Sequence, residues 1–435
     1  MSEVSYVRTE MLPEREPPAT TIGVIGWMRE NLFSGWFNTA LTIVSLTFVV
    51  MLLNAILPWI FSPTWYATSL GECRDILRGM GREGHYPGAC WGVIRDRWVQ
   101  LLFGFYPSEL YWRPIMAFLL LGVALAPVLF SDRVPRKLLW FSAVYPFLFP
   151  WLLWGGPIWG PLMVIAGFVI GWFVYRAADK RAGGLAGIIA GVLAAVIWWL
   201  LVSGYVIDGV SAVLPIGIEA VQSRNFGGFM LSVTIGVVAI ACSLPIGVVL
   251  ALGRQSDLLI VKALCVGFIE FIRGVPLITL LFVASTLLNI FMPPGTNFDI
   301  ILRVIIMATL FASAYMAEVI RGGLAALPQG QYEGADSLGL DYWQAQRLVI
   351  MPQALKISIP GIVSTFIGLF KDTTLVSIIG LLDPLGLSNS IRADAAWNGI
   401  VWEIYGFIAL LFFAFCFAMS RYSMYLERKL NTGHH

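Results

Sequence analysis

The sequence predicts an all-helical integral membrane protein, and two observations support that prediction. Hydrophobic residues make up 58% of the 435 positions and charged residues only 12%, against about 45–50% and about 25% in soluble domains. The apolar residues also form uncharged stretches of about 20 residues or more, the length that a helix needs to cross a bilayer. A soluble enzyme would need more polar surface, and a net charge of +2 argues against nucleic acid as a partner.

Five membrane-spanning helices are predicted in the first half of the chain. We place them at about 36–61, 114–131, two within 138–175, and 182–207. The third stretch is too long for one crossing, and Gly155-Gly156-Pro157 divides it because glycine and proline break helices. The polar residues 1–35, ahead of the first span, are predicted to form a disordered cytoplasmic tail.

Five further spans are predicted in the second half, which makes about ten in all. We place them at about 227–253, 258–291, 300–321, 355–382 and 397–421. An even number puts both termini on one side. The basic residues of the short connections all fall on that side too, so the positive-inside bias makes it cytoplasmic. The long loop at about 62–113 then lies in the periplasm.

Two cysteines, Cys73 and Cys90, fall in this outer loop. They could form a disulfide in an oxidising periplasm, and the alternative is two free thiols. The sequence shows no cluster of cysteine and histidine residues that would suggest a metal site.

Ionisable residues are distributed unequally between the two halves. The predicted N-terminal extension, residues 36–210, has almost none inside its spans, whereas residues 227–426 contain several. Those considered as site residues are Glu270, Arg273, Glu318, Arg321, Lys371 and Asp372. Each is costly in lipid and should therefore face a cavity, a partner or another charge.

The spacing of these residues suggests different roles. Glu270 and Arg273 are three residues apart and can form an ion pair on one helix face, with a place along a transport pathway as the alternative. Glu318 and Arg321 have the same spacing and are predicted to form a structural ion pair.

Lys371 and Asp372 are adjacent and point about 100° apart on a helix. They cannot satisfy each other well, so at least one of them should find a partner elsewhere.

The polar segment at about 323–353, between the eighth and ninth spans, is predicted to form a compact knob. Gly339 should end a short helix over Tyr332–Leu338. Asp341 should then cap a second helix, which ends before Pro352. Such a knob is suited to docking another protein, and an ordinary amphipathic loop is the alternative.

This segment contains Glu333-Gly334-Ala335, then Gly339 after three residues, then Val349-Ile350-Met351-Pro352 after nine more. The pattern resembles the EAA loop of ABC importer permeases, with Gly334 in the place of an alanine. Three other blocks resemble those of polar amino acid permeases: FIEFIRGVP at 268–276, AYMAEVIRGG at 314–323 and KDTTL at 371–375. The long chain is similar to a permease subunit of the general or acidic/amide L-amino acid uptake systems.

The resemblance implies a type I ABC importer in the bacterial inner membrane, whose permease core is formed by the five C-terminal helices. The expected cargo is polar L-amino acids, either Glu, Gln, Asp and Asn or a broader range. The expected partners are a homologous permease subunit, a dimer of ATP-binding subunits and a periplasmic amino-acid-binding protein. The residues expected to couple this chain to the ATPase are Glu333, Gly334, Ala335, Gly339 and Pro352.

The resemblance also implies that this chain is a translocation subunit and not an enzyme. ATP and magnesium would bind the partner ATPase, and the chain itself contains no Gly-Lys dipeptide and hence no Walker A loop. Lys371 and Asp372, with Glu270 and Arg273, are candidates for contacting an amino acid on its pathway. The alternative function is a stand-alone, ion-coupled amino acid transporter that uses Lys371 and Asp372 as a charge relay.

Overall fold

The structure is a computed structural model that describes residues 23–82, 88–291 and 299–430. These residues are mostly helical. The first nine helices are α1 (Gly23–Asn31), α2 (Trp36–Ile60), α3 (Leu70–Gly79), α4 (Gly92–Phe103), α5 (Trp112–Leu129), α6 (Leu139–Trp154), α7 (Trp159–Ala182), α8 (Gly184–Ile197) and α9 (Ser203–Val213). The others are α10 (Gly228–Arg254), α11 (Leu259–Gly274), α12 (Leu277–Phe291), α13 (Ile300–Ala325), α14 (Gln329–Ser337), α15 (Tyr342–Ala345), α16 (Met351–Asp372), α17 (Pro384–Ala393) and α18 (Trp402–Leu430).

The prediction of an all-helical membrane protein is confirmed, with fewer full-length spans than expected. In the described residues, eight helical stretches are long and apolar enough to cross a membrane, or nine if α11 and α12, bent by 101°, count as one span. The exception among the predicted spans is α6, which has 16 residues and contains Pro146 and Pro150. It extends about 24 Å at 1.5 Å per residue, short of the roughly 30 Å hydrocarbon core.

The contacts divide the chain into two compact units, residues 1–92 and 93–435. In the first unit, Cys73 and Cys90 form a disulfide with their Cα atoms 5.9 Å apart. The predicted disordered tail differs from the structure in part, because α1 is helical. Residues 1–22 of that tail and residues 83–87 of the outer loop lie outside the described residues.

The second unit has a core that extends across the predicted boundary between the two halves. Tyr145 and Phe149 of α6 belong to the same buried cluster as Leu231 and Ile235 of α10 and Ile301 of α13. The compact units therefore divide at Gly92, not between residues 210 and 227. The sequence alone could not show this, because α6 is uncharged and α5 carries a single charge, Arg113, in its first turn. Neither helix shows in its sequence which neighbours bury it.

A buried arginine holds the turn that ends α6. Arg113 is 1% exposed and donates hydrogen bonds to the carbonyl oxygens of Leu152 and Glu219, each at 2.8 Å. The helix ends at Trp154, where the predicted break begins, and Gly155 follows with φ +75°. A Cβ atom at Gly155 would lie 2.0 Å from the carbonyl oxygen of Glu219, so this turn requires glycine.

A buried carboxyl group caps α17. Asp383 is fully buried and accepts hydrogen bonds from the backbone N–H groups of Leu385 at 3.1 Å and Gly386 at 2.9 Å. Burial raises the pKa of Asp383 to about 6, since desolvation penalises the charged form.

We expect Asp383→Asn to be tolerated and Asp383→Ala to lower the free energy of unfolding by about 1 kcal/mol, because asparagine also caps helices and alanine does not. Thermal unfolding of the two purified variants would measure the difference.

The stability that Asp383 contributes should depend on pH. The pKa of Asp383 in the folded protein lies above that of an unfolded aspartate, so this group favours the folded state most at low pH. Its contribution is lost as pH rises from about 4 through about 6. Thermal unfolding of purified protein at pH 5 and pH 8 would measure this. The wild type should lose stability relative to Asp383→Asn at the higher pH, and a difference independent of pH would contradict the prediction.

Candidate functional site

The polar segment between α13 and α16 forms a compact knob, as the glycine and capping signals indicated. We call residues 329–350 the coupling knob. Its first helix, α14, ends just before Gly339, which has φ +70°. The N–H of Gly339 donates to the carbonyl oxygen of Asp336 at 2.9 Å, and that of Leu340 donates to Ala335 at 3.3 Å. These bonds satisfy carbonyl groups at the end of the helix, where a residue in the left-handed conformation is needed.

The second helix of the knob begins with a capping box. The side chain of Asp341 accepts a hydrogen bond from the N–H of Gln344 at 2.8 Å, and Gln344 bonds back to the Asp341 N–H at 3.2 Å. This helix does not end before Pro352, contrary to the prediction. It continues through a π-helical turn at Gln346–Ile350 into α16, and a widened turn accommodates a proline that cannot donate to the preceding turn.

The coupling knob presents an apolar surface. Four of its large side chains are more than half exposed: Leu338, Tyr342, Trp343 and Leu348. Glu333 and Gly334 are also exposed, whereas Ala335 is buried. These four large residues are not among the predicted site residues, although such side chains in a segment too polar to span a membrane are themselves a signal of a binding surface.

The base of the knob is packed against the spans. Leu324 of α13 and Leu327, just after that helix, share a buried cluster with Ile350 and Ala354, and Tyr332 packs against it. The knob is therefore joined to both α13 and α16 and can transmit a displacement to them.

Charged side chains form a cluster on the three helices α10, α11 and α13. We call Arg254, Glu270, Arg273, Glu318 and Arg321 the ion cluster. Glu318 lies at its centre and is 16% exposed. Its carboxylate forms ion pairs with three arginines: Arg254, Arg321 at 3.0 Å and Arg273 at 3.6 Å.

One of the two predicted ion pairs forms, and the other is replaced. Glu318 and Arg321 are paired. Glu270 bonds Arg254 at 3.1 Å, while Arg273 turns to Glu318 and lies over the ring of Tyr315. Spacing within one helix could not reveal this exchange, because Arg254 belongs to α10 and Glu270 to α11.

We expect Glu318→Gln to lower the free energy of unfolding by about 2 kcal/mol, because a neutral amide leaves three arginines without their shared anion. Glu270→Gln is the matched control, since its carboxylate is 55% exposed with one partner and an exposed pair is worth about 1 kcal/mol or less. Thermal unfolding of the purified protein would measure both. Equal losses from the two variants would contradict the central position of Glu318.

Lys371 and Asp372 lie apart from the ion cluster. They end α16 at the extremity away from the coupling knob, with α16 about 33 Å long, and a 3₁₀ turn follows at Thr373–Ile379. Lys371 is exposed and Asp372 half-buried. Within the described ranges neither forms an ion pair. The four predicted pathway residues thus occupy two separate places.

Comparison with known proteins assigns this fold to a family. The model of the binding-protein-dependent transport system inner membrane component matches residues 243–432. The glutamate/glutamine/aspartate/asparagine transport system permease protein BztC of Rhodobacter capsulatus is 60% identical over all of both chains. The inner membrane amino-acid ABC transporter permease protein YhdY of Escherichia coli is 39% identical over 97% of each.

A shorter relative matches only part of the chain. The probable glutamine ABC transporter permease protein GlnP of Bacillus subtilis is 32% identical over 46% of this chain and 90% of its own length. None of these relatives supports a stand-alone secondary transporter, and ATP hydrolysis in such systems belongs to a separate subunit. The chain therefore belongs to the family of binding-protein-dependent ABC transporter permeases of the inner membrane.

Proposed function

We propose that this chain is the permease subunit of an ATP-driven importer that carries acidic L-amino acids and their amides from the periplasm to the cytoplasm. The observation that supports this most strongly is the 60% identity over the full length with a permease named for glutamate, glutamine, aspartate and asparagine. Identity of this extent includes the N-terminal helices as well as the permease region, so the likeness concerns the whole subunit.

The family implies an ATP-binding and a substrate-binding partner. In our proposal the permease partner is a homologous chain, and a dimer of ATPase subunits that hold ATP and magnesium docks on the coupling knob. The exposed Glu333 and Gly334, with Leu338, Trp343 and Leu348, would meet the ATPase. Ala335, Gly339 and Pro352 would maintain the shape of that surface.

The proposed mechanism transmits motion through α13 and α16. Closure of the ATPase dimer would displace the coupling knob, and the buried cluster at its base would pass the displacement to both helices. The helices would then move as rigid elements and switch the cavity between inward and outward access. Lys371 and Asp372 would contact the amino acid at the outer end of α16, whereas Glu270 and Arg273 would hold helix positions at the inner end.

The proposed orientation places both termini and the coupling knob in the cytoplasm. It takes α6 as a short span that crosses the membrane. The side of the C-terminal helix end is supported by contacts between the loop after α5 and the end of α18. Lys429 bonds Asp132, and the Tyr422 hydroxyl donates to the carbonyl oxygen of Leu129 at 2.7 Å. The basic loop and the C-terminal helix end therefore lie on one side, as the positive-inside bias requires.

Purification of the chain from its native host in mild detergent, with mass spectrometry, tests the partners. We expect a P-loop ATPase and a second permease to be recovered with it. Uptake of labelled L-glutamate and L-glutamine should then stop on ATP depletion and survive an ionophore. A chain that is recovered alone and transports amino acids in liposomes without ATP would overturn the proposal.

A further inference from the structure

A cavity of about 970 Å³ lies at the end of α13 away from the coupling knob. Its wall is assembled from the end of α6, the segment before α10, the later part of α12, the start of α13 and the turn that follows the 3₁₀ stretch. In the proposed orientation this is the periplasmic end of the permease. The ion cluster and the coupling knob are at the other end of the permease, and Lys371 and Asp372 are not part of the cavity wall.

Two arginines in the cavity wall have unused binding capacity. Arg303 donates from Nη1 to the carbonyl oxygen of Ser285 at 2.8 Å, and its buried Nε has no hydrogen-bond partner among the described residues. Arg224 is exposed. Neither arginine forms an ion pair in the part of the chain that the structure describes. A guanidinium with free donors is suited to binding a carboxylate.

One carboxylate is fixed in the same wall. Asp299 accepts hydrogen bonds through Oδ1 from the N–H groups of Ile301 at 2.9 Å and Leu302 at 3.1 Å. Its Oδ2 accepts a bond from the hydroxyl of Ser223, which in turn accepts one from the indole of Trp154 at 2.7 Å. The acceptor is thus held in place before any ligand arrives, and carboxylate oxygens can accept further bonds.

We propose that this cavity is an outer binding site for a free acidic L-amino acid, glutamate or aspartate. The inference rests on the proposed function and adds a site to it. Two cations and one anion complement a ligand that carries two carboxylates and one ammonium group. Arg224 and Arg303 bind the carboxylates, and Asp299 accepts from the ammonium. A site at the outer end of the permease would receive the amino acid when the binding protein releases it.

The size and the lining of the cavity suit such a ligand. The space exceeds that of a single amino acid, so water can bridge the polar groups that the ligand does not reach directly. A basic amino acid carries one carboxylate and two ammonium groups, and it would place an unmatched cation beside two arginines. The site therefore selects by charge.

Protection of a cysteine from labelling tests the site directly. Cys242, Cys265 and Cys416 are the free cysteines of the described residues and would be replaced by alanine. Thr286, exposed in the cavity wall, would be changed as Thr286→Cys. The intact complex in lipid nanodiscs, without binding protein, would then be treated with a membrane-impermeant thiol reagent. We expect L-glutamate and L-aspartate to slow the labelling and L-lysine to leave it unchanged.

Variants that remove the charge of either arginine test whether the protection of Thr286→Cys from labelling depends on Arg224 and Arg303. Arg224→Gln and Arg303→Gln should each raise the L-glutamate concentration needed for protection by about tenfold or more. Arg78→Gln removes a cation from the loop that holds the disulfide and should change nothing, since Arg78 is not part of the cavity wall. Arg224 is exposed, so its variant should still fold if Arg303→Gln does not.

The outcomes separate this inference from the proposed function. If wild-type cells take up L-glutamate but labelling is unprotected, or is slowed equally by L-lysine, the outer site is wrong and the importer stands. If wild-type cells take up neither acidic amino acids nor amides, the proposed function fails first. Protection that survives both arginine variants would also overturn the site.

Discussion

Replacement of Gly339 by proline is expected to reduce amino acid uptake to the background level while the protein still inserts into the membrane. Gly339 has φ +70°, whereas proline fixes φ near −65°. Proline also removes the N–H that donates to Asp336 at 2.9 Å. The turn between α14 and α15 would be lost, and with it the surface that we propose for the ATPase. Uptake of labelled L-glutamate, compared with the amount of protein in the membrane, would measure the effect.

Gly334→Ala is the matched control for that variant. Gly334 lies within α14, and no atom beyond its chain neighbours and the adjacent helix backbone lies within 4 Å of the position that its Cβ would take. Alanine favours a helix by up to about 1 kcal/mol over glycine, so uptake should be retained. Normal uptake by Gly339→Pro would contradict the coupling role of the knob, and equal loss in both variants would show that any change in the coupling knob is harmful.

Replacement of Arg113 by alanine is expected to prevent recovery of a folded, monodisperse protein. The side chain is almost completely buried and bonds Leu152 and Glu219, with a longer contact of 3.5 Å to Leu153. Hydrogen bonds from a charged group contribute about 1.5–3 kcal/mol each, so the loss is about 3–6 kcal/mol. That is comparable with the whole stability of many proteins. Size-exclusion chromatography of detergent extracts and thermal unfolding would measure the result.

Two variants make that prediction specific. Arg136→Ala removes an exposed arginine and should behave as the wild type. Arg113→Lys keeps the charge but cannot reach several carbonyl groups at once, because a single ammonium replaces the planar guanidinium. The thermal stability of this variant should lie between that of the wild type and that of Arg113→Ala. A lysine variant as stable as the wild type would show that charge alone is needed.

The features that could be predicted from the sequence are those that neighbouring residues determine. The long spans follow from uncharged stretches of sufficient length, and the turn of the coupling knob follows from Gly339 and Asp341, which act within a few residues of their own positions. The end of α6 at Trp154 has the same origin, since the glycines that stop it come next in the chain.

The features that could not be predicted depend on contacts between distant segments. Glu270 bonds Arg254 on the preceding helix, and Arg113 bonds Leu152, thirty-nine positions along the chain. The outer cavity needs five separate segments, so no short motif could link Arg303 to Asp299. The charge of Arg303 within a predicted span is a signal that it faces a cavity or a partner, but the sequence does not show which one.

The shared core of α6, α10 and α13 limits how this protein can be shortened. The matched region of the half-length GlnP covers 46% of this chain, which suggests that the N-terminal helices are dispensable. In this chain, however, the ring of Phe226 stacks on Trp154 of α6 and meets the ring of Tyr106 edge-on. Removal of the residues before Phe226 would therefore uncover a large apolar ring that is now 1% exposed. A shorter permease cut from this sequence would need a polar replacement at that position.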